Sequence, residues 1–341
     1  MTQVPLLFRV RRGVLLRRIH AWVAASCIAA LGLGTAPAQA QALAYPDKPV
    51  TLVIPYAPGG SVDQIGRLLG DRLSQKLGQP VVIDNRAGAG GYIGIGAVTH
   101  SRPDGYTLLF TSVGALTTTV HLLKAPFDSF KDLSPISLVA TSPLMIGANV
   151  ATPYRSLQDV ISYARAHPGS ISYSVTGVGS QTFLTGELLK KTLGIAMVPI
   201  QYKGGGPAAL AIAGGEVPVG IIDPGPMIPI VKGGKVRVLA TTGHQRFAGM
   251  PDVPTVAESG VPGFEVEAAL GLYAPAGTPK ATVDLIARAV QEVCASPDVK
   301  EQFLAASHDP VGSTPDALGR YMKSEWDRWG KLIRESNIKV D

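Results

Sequence analysis

Three glycine-rich segments of the sequence have the composition of anion-binding loops. They span residues 57–63, 176–180 and 203–207, and each follows a short apolar run. A glycine-rich turn between a strand and a helix exposes backbone N–H groups at the positive end of the helix dipole. Glycine also lets a ligand approach the backbone closely. One such loop is common in any α/β protein, but three together predict a cleft that binds a carboxylate or a phosphate.

Residues that could bind a metal, act as a nucleophile or form a phosphate-binding loop lack the spacing that such sites have. The histidines are scattered, and the sequence has no H-E-x-x-H, G-x-S-x-G or G-x-x-x-x-G-K-[ST] pattern. One alternative of a different class remains open. Gly204, Gly206 and Ala209 match the dinucleotide pattern G-x-G-x-x-A, and Asp223 follows Gly204 by 19 residues, as a ribose-binding acid would. This alternative is an exported dinucleotide-dependent oxidoreductase, although the helix predicted over 208–213 is very short for that fold.

Residues 1–40 have the pattern of a cleavable export signal. Five arginines lie between Arg9 and Arg18, an uncharged apolar run covers 21–33, and Ala38-Gln39-Ala40 is a small-x-small site. The apolar run is shorter than the roughly 18 to 20 residues that span a bilayer. The sequence around Cys27 does not favour a lipid anchor, and the Arg11-Arg12 pair leaves the Sec and twin-arginine routes open. We expect cleavage after Ala40 and a periplasmic mature chain.

Removal of this signal changes the charge of the protein. The full chain has 31 Lys and Arg against 25 Asp and Glu, and residues 1–40 contain five arginines and no acid. The mature chain therefore has 26 basic and 25 acidic residues, which gives no support for binding to nucleic acid or to an anionic membrane. Cys294 is the single cysteine after residue 40, and its apolar neighbours at helical spacing predict a buried side chain rather than a nucleophile.

The mature chain alternates apolar runs with amphipathic stretches, which is typical of βαβ units. In the first unit a strand is predicted over 50–56 and a helix over 62–77, with Gly78 as its C-cap. Ser156 and Asp159 predict a capping box for a helix ending at Ala166. Further strands are predicted at 81–83, 106–110, 171–175, 197–202, 217–222, 236–241 and 270–274, and further helices from 181 to 193, 279 to 295 and 316 to 334.

Two βαβ sets, separated by a weakly polar stretch at 136–150, predict two α/β lobes with two connections between them. Lobe 1 is expected to contain residues 41–144 and 270–341, and lobe 2 residues 145–269. The cleft between such lobes is where a ligand would bind.

Seven short motifs occur in the order found in one family of receptors. They are YPDKPV at 45–50, PYAPGGSVD at 55–63, NRAGAGG at 85–91, PDGYTL at 103–108, YKG at 202–204, PDVPT at 251–255 and APAGTP at 274–279. In this order they resemble the substrate-binding proteins of tripartite tricarboxylate transporters, the Bug-type periplasmic receptors. The resemblance covers essentially the whole mature chain.

The resemblance implies a two-lobed periplasmic-binding-protein type II fold, with two Rossmann-like α/β domains joined by two crossover strands. The ligand carboxylate would be held mainly by backbone groups and ordered waters. The residues placed at the ligand by the resemblance are, in lobe 1, Tyr56, Ala57, Pro58, Gly59, Gly60, Asp63, Thr111 and Ser112, and, in lobe 2, Gly179, Ser180, Gln181, Tyr202, Lys203 and Asp223.

Several of these residues have a second interpretation. Asp63 is alternatively an acid that complements a helix dipole, Lys203 a solvated loop cation and Tyr202 a core residue. Phe183 departs from the family, which often has histidine there. Gly60 is expected to tolerate a β-branched side chain poorly if its φ is positive or if it contacts the ligand.

The sequence therefore predicts a solute-binding protein and not an enzyme. Its ligand would be a small carboxylate: a dicarboxylate, a tricarboxylate, an amino acid or an aromatic acid. Its partner would be a tripartite tricarboxylate-type permease or the periplasmic domain of a sensor kinase. A monomer without cofactor, metal or nucleic-acid partner is expected.

Overall fold

The computed structural model describes residues 45–177 and 179–339, so the predicted export signal and Cys27 lie outside the described residues. The described residues form eleven strands: β1 (Val50–Ile54), β2 (Val81–Asn85), β3 (Thr107–Ser112), β4 (Leu133–Pro143), β5 (Met145–Asn149), β6 (Ser172–Val175), β7 (Val198–Gln201), β8 (Val219–Ile222), β9 (Val236–Thr241), β10 (Glu267–Pro275) and β11 (Asp309–Pro310).

The same residues form ten α-helices: α1 (Ser61–Leu77), α2 (Tyr92–Thr99), α3 (Val113–Thr117), α4 (Leu157–Ala166), α5 (Gln181–Leu193), α6 (Gly205–Ala213), α7 (Pro224–Lys232), α8 (Lys280–Ala295), α9 (Pro297–Ala305) and α10 (Pro315–Glu335). Four of them, α2, α3, α7 and α9, were not predicted from the sequence.

The strands form two sheets. The first has the order β11-β4-β10-β3-β1-β2 and the second the order β7-β6-β8-β5-β9. In the first sheet β1 pairs in parallel with β2 and β3, and β10 is antiparallel to β3 and β4. In the second sheet β6 is parallel to β7 and β8, and β5 is antiparallel to β8 and β9. This arrangement confirms the predicted α/β class.

Helix α1 lies close to the first sheet and positions the loop that follows β1. Its buried residues include Ile65, Leu69 and Leu73, and Gly78 ends it with φ 69°, as predicted. Gly66 permits the close approach, because a Cβ there would lie 2.5 Å from the Ile54 side chain. A larger residue at Gly66 would therefore require the side chains of Ile54 and Phe110 to shift.

The chain passes from the first sheet to the second across one residue, Leu144, which separates β4 from β5. It returns between Thr241, at the end of β9, and Glu267, at the start of β10. The stretch 136–150, for which no element was predicted, forms most of β4 and all of β5. Both strands are almost completely buried, so the polar alternation that marks a half-exposed strand is missing. The predicted lobe boundaries stay a prediction.

Helix α10 packs against the cores of both sheets. Leu318 and Met322 belong to an apolar cluster with side chains of β1, β3 and β10. Trp329, Leu332 and Ile333 belong to a cluster with side chains of β5, β6 and β8. At 21 residues the helix is about 30 Å long, which lets its two halves reach different cores.

Cys294 is buried, as predicted from its apolar neighbours. Its side chain is 2% exposed and its thiol donates to the carbonyl oxygen of Val139 at 3.5 Å. Burial raises the pKa of this thiol to about 12. Cys294 is therefore a packed core residue and not a reactive thiolate.

Candidate ligand-binding cavity

A cavity of about 300 Å³ lies where elements of both sheets meet. Its walls come from the end of β3 with α3, the N-terminus of α5, the start of β10 and the middle of α10. The lining residues are Tyr56, Gly90, Ser112, Val113, Gly114, Ala115, Thr118, Thr119, Gly179, Ser180, Gln181, Leu184, Glu267, Ala269, Tyr321, Glu325 and Trp329.

Five of the fourteen residues predicted at the ligand line this cavity: Tyr56, Ser112, Gly179, Ser180 and Gln181. They come from the ends of three strands, β1, β3 and β6, which belong to both sheets. The other nine do not line it: Ala57, Pro58, Gly59, Gly60, Asp63, Thr111, Tyr202, Lys203 and Asp223. Their contact with a ligand stays a prediction.

Tyr56 lines the cavity and has a neutral hydroxyl group. Its hydroxyl oxygen lies 3.2 Å from Thr111 Oγ1, and Thr111 does not line the cavity. Desolvation raises the pKa of Tyr56, and hydrogen bonds with Thr111 and the Ser112 backbone only partly oppose this rise. The side chain can therefore donate or accept a hydrogen bond without contributing a charge.

Asp63 organises the loop between β1 and α1. Its side chain is 2% exposed, and it accepts hydrogen bonds from Gly59 N at 2.8 Å, Arg67 Nε at 2.9 Å and Asn85 Nδ2 at 2.8 Å. Burial would raise the pKa of Asp63, but the bonds from Arg67, Gly59 and Asn85 outweigh it and lower the pKa. Asn85 also donates to the Tyr56 carbonyl oxygen at 3.1 Å. Asp63 is thus linked through Asn85 to the main chain of Tyr56, which lines the cavity.

In this loop Gly59, and not Gly60, has a positive φ, the conformation that favours glycine. Gly59 has φ 88°, whereas Gly60 has φ −75° and ψ 167°, which any residue adopts. A Cβ on Gly60 would meet only the Ala57 carbonyl oxygen, at 3.9 Å. Of the two conditions named for Gly60 in the sequence analysis, the positive φ is not met, and contact with the ligand stays a prediction. The positive φ lies one residue earlier, at Gly59.

The N-terminus of α5 forms the wall of the cavity that belongs to the second sheet. Ser180 is the N-cap: its Oγ accepts from Phe183 N at 3.2 Å and donates to the Gly177 carbonyl oxygen at 2.7 Å. The side-chain amide of Gln181 donates to the main-chain oxygen of Glu267 at 2.7 Å. These bonds hold α5 against the start of β10 and occupy the Ser180 hydroxyl.

The remaining predicted residues of lobe 2 lie outside the cavity. The Tyr202 hydroxyl donates to Glu216 Oε1 at 2.8 Å, and desolvation together with Glu216 raises the pKa of Tyr202 to about 12. Lys203 is exposed. Asp223 is exposed by surface area, yet protein atoms crowd its carboxyl group and this desolvation raises its pKa. Asp223 does not line the cavity.

Sequence reasoning missed the wall formed by β10 and α10. Glu325 is buried at 6% exposure, accepts from Trp329 Nε1 at 2.7 Å and pairs with Arg328 Nη2 at 2.5 Å. The sequence did contain an indication that Glu325 is functional, because it is an acid on the otherwise apolar helical stripe that includes Met322 and Trp329. Glu267 carried no comparable signal, since it begins a strand whose start was predicted three residues later.

The strand order argues against the dinucleotide alternative. In a dinucleotide-binding βαβ unit the ribose-binding acid follows the strand next to the one that precedes the glycine loop. Here α6 connects β7 to β8, and β6 lies between these two strands. Asp223, at the end of β8, is therefore one strand further from the loop beginning at Gly204.

Comparison with known proteins agrees with this geometry. Residues 65–338 match the family model described as the tripartite tricarboxylate transporter family receptor. The chain is 37% identical over 298 residues to protein BugT of Bordetella pertussis, covering 87% of this chain and 91% of BugT.

Two solved structures extend the comparison to bound ligands. The R. palustris protein Rpa4515 with adipate is 32% identical, with a TM-score of 0.72 over 86% of this chain and 99% of that one. MatC (Rpa3494) from Rhodopseudomonas palustris with bound malate is 31% identical, with a TM-score of 0.67 over 85% of this chain and 100% of that one.

Two sheets with a cavity lined from both define a two-lobed solute-binding protein of the periplasmic-binding-protein type. The chain belongs to the tripartite tricarboxylate transporter receptor family, which confirms the resemblance carried by its seven motifs.

Proposed function

We propose that the protein is a periplasmic solute-binding protein that binds a small carboxylate in this cavity. The observation that supports the proposal most is the lining of one cavity by loops from both sheets, including the N-terminus of α5. The first N–H groups of a helix have no partner within it and favour an anion. Binding proteins about a third identical to this chain contain adipate and malate.

The other lining groups suit an organic acid held by neutral donors. Hydroxyl groups come from Tyr56, Ser112, Thr118 and Thr119, and a cavity of about 300 Å³ lies at the lower end of the range for small-molecule sites. We propose no catalytic role for these residues. The bound solute would pass to a tripartite tricarboxylate-type permease or to a sensor domain, and the protein would act as a monomer.

Release into the periplasm would follow removal of the predicted signal. We expect the exported protein to begin at Gln41, because Ala38-Gln39-Ala40 ends the signal pattern. The intact mass of the exported protein measures this directly. A mature species that retains Arg17 and Arg18 would contradict the prediction.

A ligand-panel thermal-shift assay on the mature chain tests the binding function. The panel contains succinate, malate, adipate, citrate, glutamate, an aromatic acid and the nicotinamide dinucleotides. A ligand at about 100 times its Kd adds about 2.7 kcal/mol to the free energy of unfolding. For a chain of this size the melting temperature should rise by several degrees.

A pair of variants ties this binding to the cavity. Ser112→Tyr fills the cavity from a position whose side chain caps no helix, and we expect it to abolish the stabilisation by the ligand. Ser162→Tyr adds the same group to an exposed face of α4 and should leave the stabilisation unchanged. Stabilisation by dinucleotides alone would favour the oxidoreductase instead, and equal binding by folded Ser112→Tyr would place the site elsewhere.

A further inference from the structure

The hydroxyl group of Tyr273 is buried in the first sheet and has no hydrogen-bond partner among the described residues. The side chain of Tyr273 is fully buried, and it belongs to the same apolar cluster as Val113, Ala115 and Ala269, which line the cavity. A buried polar group without a partner destabilises a fold, and in folded proteins ordered water commonly supplies the missing partner. The Tyr273 hydroxyl therefore marks a point near the cavity that needs a further polar group.

The backbone places this hydroxyl beside Thr111. A Cβ on Gly271 would collide with the Tyr273 hydroxyl, so the tyrosine turns back along β10 and covers Gly271. Gly271 lies directly opposite Thr111 of β3 in the antiparallel register. Side chains at opposite positions extend from the same face of the sheet, and their Cβ positions are about 4.5 to 5.5 Å apart. The Tyr273 hydroxyl thus occupies the position next to the Thr111 side chain.

The spacing of these two hydroxyl groups suits one bridging water. They do not bond to each other, because Tyr273 has no partner and the side-chain bond of Thr111 goes to Tyr56. Two O–H···O bonds of about 2.8 Å that meet at one water span roughly the distance between opposite side chains. A buried water needs at least two polar partners, and Tyr273 and Thr111 supply two.

Thr111 connects this point to the cavity. Its Oγ1 lies 3.2 Å from the hydroxyl oxygen of Tyr56, which lines the cavity. The main chain of Ser112 also bonds with the Tyr56 hydroxyl, and an N–H group can only donate. Where Thr111 donates as well, the Tyr56 oxygen is filled as an acceptor and its own proton is left for another group. Burial raises the pKa of Tyr273 and the nearby Tyr56 raises it further, so the two hydroxyl groups are neutral and electrostatically coupled.

We propose that an ordered water joins Tyr273 to Thr111 and that this chain of hydrogen bonds directs the proton of Tyr56 toward an anion in the cavity. Tyr273 donates to the water, the water to Thr111, and Thr111 to Tyr56. Hydrogen bonds in such a chain polarise one another, which makes the last donor stronger. The water contacts the protein behind Tyr56 and not the ligand, and Tyr273 is a positioning residue. The role in binding rests on the proposed function, whereas the water site does not.

A crystal structure of the mature protein without ligand tests the water site. We expect a water within about 3.2 Å of both Tyr273 Oη and Thr111 Oγ1. Tyr273→Phe keeps the ring, should lose this water and should lower the melting temperature by about 2 °C. A hydroxyl without any partner would instead make the phenylalanine variant more stable than wild type. That result, or the lack of a water between the two hydroxyl groups, would overturn the proposal whatever the protein binds.

Calorimetric titration with malate and with adipate tests the role of the chain in binding. Tyr56→Phe should weaken binding about tenfold and Tyr273→Phe about threefold. The double variant should lose no more than Tyr56→Phe alone, because the Tyr273 hydroxyl acts through Tyr56. Tyr154→Phe is the matched control, since Tyr154 is buried in a different cluster and does not line the cavity, and its affinity should equal that of wild type.

The outcomes separate this inference from the proposed function. Unchanged affinity in folded Tyr273→Phe, or losses that add in the double variant, would overturn the role of Tyr273 and leave carboxylate binding standing. Failure of wild type to bind malate, adipate or any other acid of the thermal-shift panel would contradict the proposed function, and with it the role of Tyr56 as a donor. The crystal structure would still decide the water site in that case.

Discussion

Two glycine-rich loops that look alike in the sequence have different relations to the cavity. The loop at 57–63, after β1, is held by the buried carboxylate of Asp63, and only Tyr56 before it lines the cavity. The loop at 176–180, after β6, is held by hydroxyl groups, since Ser180 Oγ lies 2.9 Å from Thr182 Oγ1. Its last residues and the start of α5 line the cavity directly.

The difference shows what a glycine-rich pattern can predict. In both cases it predicts a tight turn that begins a helix, because that conformation depends on neighbouring residues. It does not predict which surface lies opposite the turn. Only the second loop faces β10, through the bond between Gln181 and Glu267. We therefore expect removal of the carboxylate that holds the first loop to cost more stability than removal of the hydroxyl group that caps α5 after the second loop.

Removal of the buried carboxylate should have the largest effect on stability. Asp63→Ala leaves Gly59 N–H and the Asn85 amide without their acceptor and Arg67 without its partner, and we expect a loss of about 3 kcal/mol in the free energy of unfolding. Urea denaturation measures this loss. Asp71→Ala, at an exposed position of the same helix, should change stability by less than about 0.5 kcal/mol. Similar losses in the two variants would contradict the role assigned to Asp63.

Valine substitutions at the two adjacent glycines should separate backbone strain from ligand contact. Gly59→Val forces a β-branched residue to φ 88° and should cost about 2 kcal/mol of stability. Gly60→Val adds a side chain at an ordinary φ, where a Cβ makes only a van der Waals contact, and should cost less than about 0.5 kcal/mol. Thermal unfolding with circular dichroism compares them. Loss of ligand binding in folded Gly60→Val would show that Gly60 contacts the ligand, as the resemblance implies.

Acidification should remove the contribution of Asp63 to stability. Its pKa is lowered in the folded protein from the ordinary value of 3.8, so the ionised form stabilises the fold above that value and this stabilisation disappears as pH falls through the lowered pKa. The difference in unfolding free energy between wild type and Asp63→Asn should be constant near neutral pH and narrow below about pH 3.8. A difference that stays constant in acid would argue against an ionised Asp63.

The smallest effect is expected at the second loop. Ser180→Ala removes the N-cap of α5 and should cost about 1 kcal/mol of stability. Because the hydroxyl is already bonded to Gly177 and Phe183, ligand affinity should fall at most about fivefold, as measured by calorimetry. Ser156→Ala removes the comparable cap of α4, whose capping box is present as predicted, and should leave affinity unchanged. A loss in affinity much above tenfold would show that Ser180 donates directly to the ligand.

Helix α7 forms although its composition argues against a helix. Its sequence contains Pro224, Pro226 and Pro229, and proline usually argues against a helix interior. Two of these prolines lie in the first turn, where the missing N–H groups have no partner in any helix. Only Pro229 lies in the interior of the helix. The three prolines therefore destabilise α7 less than their number indicates.

The sequence by itself determined features that depend on residues close together in the chain. These are the apolar stripe of α1 and its end at Gly78, the capping box at Ser156, the burial of Cys294 and the motifs that indicate the family. Their physical causes, which are helix periodicity and local hydrogen bonds, act over about four residues.

Only the tertiary structure decided which residues line the cavity. Gln181 and Glu267 are 86 positions apart, and their hydrogen bond exists because α5 and β10 are brought together by packing against separate cores. Glu325 and Trp329 reach the cavity because α10 crosses from one core to the other. Contacts of this kind depend on how whole elements pack, and no pattern within one element encodes the partner on the other side.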